Sequence, residues 1–593
     1  MRRTGSPACL APAIWALAVW PFTPLRAADP SDVILKAMRD EIRHSRALSS
    51  LNLAKPYFIS YVLEDGEGFS ATASLGGLEA STDTFFRFPR VQVRAGDYDF
   101  DSTNYAGSGQ NAVSRYEIER FPIENSYAVL RRYLWLATDQ SYKSAVETLA
   151  RKQAALKNVS EQDRVADFAR AEPIRVKEAI SNERVDRGVW LARVRTLSAV
   201  FADFPQVMNS SVEMQALKNV RYLVNSEGSE VRTSEDVIFV RVRGTGQAAD
   251  GMVLRDFSAV HSLGFDGLPA EAELARACRQ VAENITALAH APAGDTYNGP
   301  VLFEGMAAAQ LFAGLLGKNL AQSRKPVGEA GRPNRFLSSE LEGRQGARIL
   351  PESMDVVDDP AQKEWHGRKL FGAYRVDDEG VAARPLTLVE KGVLKNFVLT
   401  RQPVSGFSGS NGRARLPGAF GSNAATTSNL FVRVADGVPV AELRKKLIGM
   451  CQARGRPYGL IVRKLDFPSS ASFDEVRRRV GLEARDGNGP RLVSLPILVY
   501  KIFPDGREEL IRGVQFRELN VRSLRDIQAA GDDNNVFDYL DNGAPMALVG
   551  ASSYSAECSV IAPSVLLDDV EIRKLDDERP SLPAVPSPLV AGR

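Results

Sequence analysis

Histidine and cysteine are scarce in this chain, with four of each in 593 residues. His44, His261, His290 and His366 stand far apart, and none lies within five residues of another. A helical zinc-peptidase site needs two imidazoles on one face beside a glutamate that activates water. Neither His-Glu-x-x-His nor a longer-spaced variant occurs. No two cysteines have Cys-x-x-Cys spacing, which removes ribbon-type metal sites and thioredoxin-like redox pairs. There is no Gly-x-Ser-x-Gly nucleophile elbow. Gly244-Thr245-Gly246 lacks the third glycine and following helix of a dinucleotide site. Phe312 stands where a phosphate loop ending in Gly317-Lys318 needs its first glycine. Charge of one sign is also missing: 75 Lys and Arg face 73 Asp and Glu. That balance gives no reason to expect a nucleic-acid partner or a polybasic membrane surface. Beyond the first thirty residues no apolar run approaches the ~18 needed to span a bilayer.

What is present begins with a leader. Arg2 and Arg3 precede the apolar stretch 8–20 and then the small residues Ala27 and Ala28. This predicts a secretory signal over 1–28, cleaved after Ala27 or Ala28, and an exported, periplasmic or extracellular protein. The alternative is an uncleaved N-terminal anchor. Cys9 would leave with the leader, so at least one of Cys278, Cys451 and Cys558 would be an unpaired thiol. Cys278 and Cys451 read as buried small hydrophobes.

At ~100–200 residues per domain the length predicts two large domains. Apolar spacing predicts a helix over 31–49 with Ser31 as N-cap. Residues 56–97 read as a strand meander broken at Asp65-Gly66 and Gly76-Gly77. Helix is expected over 126–183 and an extended run over 188–201. The turn Asn225-Ser226-Glu227-Gly228 lies between strands 219–224 and 229–243, and 268–290 is helical again. The turn-rich stretch 291–299 marks a boundary. It separates an N-terminal α+β domain, 29–293, from a mostly-β domain, 297–575, opened by one apolar helix over 306–321. A Gly/Arg-rich loop over 322–348 and a helix over 439–453 follow, and 576–593 is Pro-rich and expected to be disordered. The class is α+β.

Several polar clusters are candidates for chemistry. Asp377-Asp378-Glu379-Gly380 puts three carboxylates at a turn, suited either to a hard cation such as calcium or simply to a solvated tight turn. Asp532-Asp533-Asn534-Asn535 is similar. In Ser410-Asn411-Gly412-Arg413, Asn411 and Arg413 could hold a substrate backbone or carboxylate, Arg413 acting as a fork donor; otherwise the stretch is loop geometry. His366 beside Trp365 is a lone histidine. Arg324, Lys325, Arg332, Arg335, Arg344 and Arg348 decorate a solvated loop or, alternatively, form an anion site. Cys558 follows a Gly/Ser-rich stretch, and a buried thiol is the plain reading.

Four segments then carry a family resemblance. Residues 299–317 (GPVLFEGMAAAQLFAGLLG), 371–400 (FGAYRVDDEGVAARPLTLVEKGVLKNFVLT), 410–432 (SNGRARLPGAFGSNAATTSNLFV) and 560–567 (VIAPSVLL) resemble the C-terminal domain of the TldD/PmbA metallopeptidase-related family. The likeness is specific over 297–575 and is one of layout before that. The family has TldD-like subunits, which carry His-Glu-x-x-x-His on the first helix of that domain and a later cysteine ligand. It also has PmbA-like (TldE-like) subunits, which lack the motif. The motif falls here on Phe312, Ala313 and Gly317. The resemblance therefore implies a PmbA-like subunit with no metal or cofactor of its own, zinc entering only through a partner. It implies a TldD-like metal-bearing paralogue or a second copy as that partner, and unfolded peptide as the substrate, oriented by edge-strand pairing. Cys558 might correspond to the ligand cysteine, but its surroundings differ and the role is not carried over. Asn411, Arg413, Asp377, Asp378 and Glu379 are the substrate-binding candidates. The alternatives are a peptidase with a non-standard site built on His366, Cys558 or the 377–379 carboxylates, and a periplasmic peptide-binding protein without catalysis.

Overall fold

Alternation with a period of two builds the first half of the molecule. The computed structural model describes residues 30–48, 54–106, 121–157, 165–328, 338–418, 422–467, 493–542, 555–575, 579–585 and 587–589. The predicted leader over 1–28 lies outside them. Strands β1 (Pro56–Ser74), β2 (Gly77–Ala95), β3 (Val207–Asn225) and β4 (Glu230–Gln247) form an antiparallel sheet in the order β2-β1-β3-β4. The far edge of β4 pairs with Arg175–Lys177 at its start and with β5 (Val253–Ser262) at its end.

Odd-numbered side chains of β1 face a layer of helices. Tyr61 and Leu63 pack with α1 (Pro30–Ser45) and α2 (Tyr127–Leu156). Phe69, Ala71 and Ala73 pack with α3 (Arg187–Ala199) and α4 (Glu271–His290). On the opposite face Val62, Leu223 and Val231 meet Val376 of the second half.

Some expectations change here. The meander over 56–97 is one long hairpin turning at Leu75 and Gly76, both at positive φ (49° and 84°). Asp65-Gly66 lies inside β1. A Cβ on Gly66 would stand 2.2 Å from the Phe86 ring, so this glycine marks a close approach and not a turn. The extended run expected over 188–201 is helix α3. Trp190, Val194, Leu197 and Phe201 recur at three or four residues and fill one face, and the Asp186 carboxylate caps the start by accepting from the Val189 N–H. The helix expected over 126–183 stops at Leu156, and residues 165–183 are coil and short strand. Helix α1 includes Pro30, one residue ahead of the predicted cap Ser31.

The second half sandwiches one helix between two sheets. Strand β6 (Tyr297–Phe303) sits centrally in a sheet with Gly459–Leu465, Pro496–Ile502, Glu508–Ile511 and Val565–Lys574. The other sheet orders Leu386–Glu390, Met354–Asp358, Asn429–Val434, Ser555–Ala562 and Asn535–Asn542. Helix α5 runs from Met306–Leu311 through a wider π turn, Phe312–Gly317, to Lys318–Leu320, and its side chains share one core with both sheets. Helix α6 (Val440–Ala453) covers the outer face of the first sheet with Leu443, Leu447 and Cys451. Within the C-terminal tail, Arg579 pairs with Asp250 at 3.0 Å and Pro580 O accepts from Gln247 at 2.7 Å. Among the described residues no helix is long and apolar enough to cross a membrane, which says nothing of strands.

Candidate functional site

The helix onto which the resemblance places the zinc motif is a core element here. Phe312, Ala313 and Gly317 have no exposed surface at all. A phenyl ring, a methyl group and a hydrogen offer no lone pair, so these three positions do not fit a zinc ion. Among the described residues no group of three His, Cys, Asp or Glu side chains is placed to hold a metal. The next residue, Lys318, forms an ion pair with Asp541, whose carboxylate also accepts from Thr426 Oγ1.

Cys558 lies close by on the strand Ser555–Ala562, where its thiol donates to Thr427 O at 3.1 Å. Burial pushes this thiol up to about 11, against the pull of Arg415 and Lys318. A thiol held there is protonated at neutral pH and a poor nucleophile. All three described cysteines are buried and unpaired.

The 377–379 carboxylates are not a solvated turn. They are 2%, 5% and 7% exposed. Gly380 closes the turn at φ 75°, where a Cβ would come 3.3 Å from Leu223 and from Ser229 of the N-terminal half. The turn is thus pressed against β3 and β4. Asp377 turns inward: its Oδ1 accepts from Glu379 N and Val381 N at 3.0 and 2.8 Å, and its Oδ2 from Ala414 N at 3.1 Å. Burial, with the Glu379 charge adding, pushes it up to about 8. Glu379 accepts from Arg401 N at 2.5 Å and Asn423 Nδ2 at 3.2 Å. These oxygens are occupied by N–H donors, so the calcium reading fails for want of free ligands.

Asp378 points the other way, across the junction. Arg90 reaches it at 2.6 Å and Arg221 at 3.0 Å. Burial works to raise its pKa, but the Arg221 and Arg90 guanidinium groups outweigh burial and hold it below the usual carboxylate range. Around it lies a small pocket of about 20 Å³, lined by Glu64, Asn219, Arg221, Glu235, Arg415 and Glu557 among others. That is room for about one water molecule.

The register of the sheet builds the pocket. Glu64 pairs with Arg221, and Asn219 with Glu235, on the even-numbered face of β1. From the second half, Arg415 donates to the Glu557 carboxylate and to its backbone O, both at 2.6 Å, and stacks on Tyr374. Glu235 meets Arg221 at 2.9 Å, yet burial still pushes it up to about 7. Asn219 Oδ1 has no hydrogen-bond partner. Alternating guanidinium and carboxylate groups of this kind neutralise one another across the junction. Reading the sequence for motifs missed Arg90, Arg221, Glu235, Arg415 and Glu557. Their signal was charge at core-facing positions of otherwise alternating strands.

The remaining candidates are structural. Asn411 accepts from Leu399 N at 2.9 Å and donates to Phe397 O at 2.7 Å, tying its loop down. Arg413 is fully buried; Nε donates to Asp358 Oδ2 at 2.6 Å, and the other nitrogens go to the carbonyls of Asn411, Arg384 and Asp358. Its fork is spent on its own chain and cannot meet a substrate. His366 is exposed on a small hairpin against Trp365. Asp533 accepts from Ser564 N, Ser564 Oγ and Asn535 Nδ2. Arg324 is anchored, not solvated, donating to the carbonyls of Val165 and Ala166 at 2.9 Å. Arg332 and Arg335 lie outside the described residues.

One junction histidine yields a pH prediction. His261 on β5 is wedged between Phe239 and Phe371, and neither ring nitrogen closes a hydrogen bond. Burial first, then Arg241 and Arg368, depress it to about 3, while the Asp538 backbone opposes them. A base depressed on folding contributes stability that is complete above its unfolded value of about 6.5 and is lost as pH falls. The raised carboxyls of Asp377 and Glu235 act oppositely: the stability they contribute is complete below about 4 and is lost as pH rises through about 8 and about 7 respectively. Denaturant titrations of His261→Leu and the wild type separate the two effects. The stability difference between them is expected to shift by about 2 kcal/mol in favour of the variant from neutral pH down to about pH 5.

Comparison with known proteins bears on the family and the fold. Residues 296–462 match the family described as PmbA/TldA metallopeptidase C-terminal domain. A metalloprotease of Archaeoglobus fulgidus is 38% identical over 78 residues, 13% of this chain and 17% of that protein. One of Methanothermobacter thermautotrophicus is 25% identical over 200 residues, 33% of this chain and 40% of that protein. The chain thus spans well under half the length of these curated relatives. TldE from Thermococcus kodakarensis superposes with a TM-score of 0.54 at 14% identity, over 90% of this chain and 99% of that one. A Thermotoga maritima protein described as a modulator of DNA gyrase gives 0.53 at 14% identity, over 87% and 96%. At these identities the structural likeness is one of fold. Residues 296–462 thus belong to the TldD/PmbA family as its C-terminal domain, and the chain around them has the TldE fold.

Proposed function

We propose that this chain is an exported, PmbA/TldE-like subunit without zinc, acting in the proteolysis of unfolded peptides beside a metal-bearing TldD-like partner. The observation that carries the reading is the helix at 306–320, where Phe312, Ala313 and Gly317 occupy the motif positions and are buried in the core. The domains are 29–293 and 297–575, meeting at the Asp378 junction, whose ion pairs with Arg90 and Arg221 join the two halves. Export rests on Arg2, Arg3, the apolar stretch 8–20 and Ala27-Ala28.

The test mixes the purified chain with a family member carrying intact His-Glu-x-x-x-His. Cleavage of an unfolded peptide by the pair, and a stable complex on gel filtration, are expected. A chain that neither binds such a partner nor changes its cleavage contradicts the subunit role; peptide bound without turnover or partner would make it a binding protein. Mass spectrometry of the exported fraction is expected to find an N-terminus at Ala28 or Asp29. An intact Met1 chain there would mean an uncleaved anchor, and absence of the chain from that fraction would reject export.

A further inference from the structure

The helix face of the N-terminal sheet is not fully covered. Helices α1 and α2 lie over Tyr61 and Leu63, and α3 and α4 over Phe69, Ala71 and Ala73. Beside the start of α3 and the segment 183–185 that leads into it, a groove of about 230 Å³ opens. Its floor is Phe69, Ala216 and Ile238, and Phe85, 67% exposed, stands at its side. Small-molecule sites are about 300–1,000 Å³, so the space is that of a small ligand and not of a lone ion.

A row of charge crosses this floor. Glu67 is directly opposite Lys218, and Lys218 directly opposite Asp236. Opposite charges facing each other across paired strands ordinarily join. Here the Lys218 ammonium forms an ion pair with neither neighbour among the described residues, while Arg187 and Asp83 at the rim do pair, at 2.8 Å. One Asp236 oxygen is shielded from solvent without any hydrogen-bond partner. A row of unpaired groups beside an apolar floor, Lys218 and Asp236 half-buried and Glu67 exposed, is complementary to a ligand that carries both charges on an apolar body.

We propose that this groove binds a short apolar peptide with free termini, Lys218 taking the carboxylate and Asp236 the ammonium group. The inference does not rest on the subunit role, because it uses the face of the sheet opposite the Asp378 junction.

Calorimetry of the full chain tests it with three probes: the dipeptide Leu-Phe, its N-acetyl form and its C-terminal amide. The free dipeptide is expected to bind, and each blocked form at least about tenfold more weakly. Lys218→Met should weaken the free dipeptide and erase its advantage over the amide, and Asp236→Asn should do the same against the acetyl form. Phe85→Ala, a change at an exposed ring, should weaken all three probes without altering the fold. Asn219→Ala, in the junction pocket, should change nothing. No binding of the free dipeptide at millimolar concentration, or equal binding of all three probes, overturns the proposal. So does loss of binding in Asn219→Ala with Lys218→Met indifferent, which would move the peptide to the junction.

Discussion

Arg413→Met is expected to lower folding stability by about 3–5 kcal/mol in urea unfolding. The pair is dry at both ends, since Arg413 and Asp358 are each 0% exposed. Removing the guanidinium leaves the Asp358 carboxylate buried with only the Ser428 N–H and hydroxyl as donors, at 2.7 and 2.9 Å. It also orphans the carbonyls of Asn411 and Arg384. An uncompensated buried charge costs more than the pair ever contributed, so the double variant Arg413→Met, Asp358→Leu should be less damaged than Arg413→Met alone. A substrate-binding arginine would behave differently, losing ligand while keeping its stability. A loss under ~1 kcal/mol would return Arg413 to the list of binding residues.

Phe312→Ala is expected to cost about 3–5 kcal/mol, the range for deleting a ring from a packed core. Phe312 has no exposed surface and shares a core with side chains of both flanking sheets. Had the helix merely lost its ligands and kept an open cleft, the ring would face solvent, and its removal would cost little. Guanidinium or urea midpoints with an unchanged slope would show that the loss is one of packing and not of compactness.

Much of this arrangement could be read from the residues. Helix α4, with Leu274, Val281 and Ile285 on one face, and the hairpin around Asn225-Ser226-Glu227-Gly228 follow local rules that tertiary contacts did not override. Helix α3 was hidden because Val189, Val194 and Val200 favour strand locally, while the period of Trp190, Val194 and Leu197 is helical. Asp65-Gly66 imitates a turn, but its glycine is required by the Phe86 ring across the strand. The 377–379 turn was legible as a turn. Its burial was not, because that comes from Leu223 and Ser229, about 150 residues earlier in the chain. The junction pocket was illegible for the same reason. Arg90, Arg221, Arg415 and Glu557 come from four strands, and no spacing along the sequence marks them. The absence of the zinc motif needed no fold, since it is a matter of which side chains carry lone pairs.

Equilibrium dialysis of the purified chain against micromolar zinc, with bound metal counted by plasma mass spectrometry, tests the central claim most directly. The account predicts no tightly held ion, and the same zinc content in the wild type and in Phe312→Leu, since that helix offers the metal nothing. One zinc per chain retained through dialysis, and lost when the 306–320 helix is altered, would contradict it.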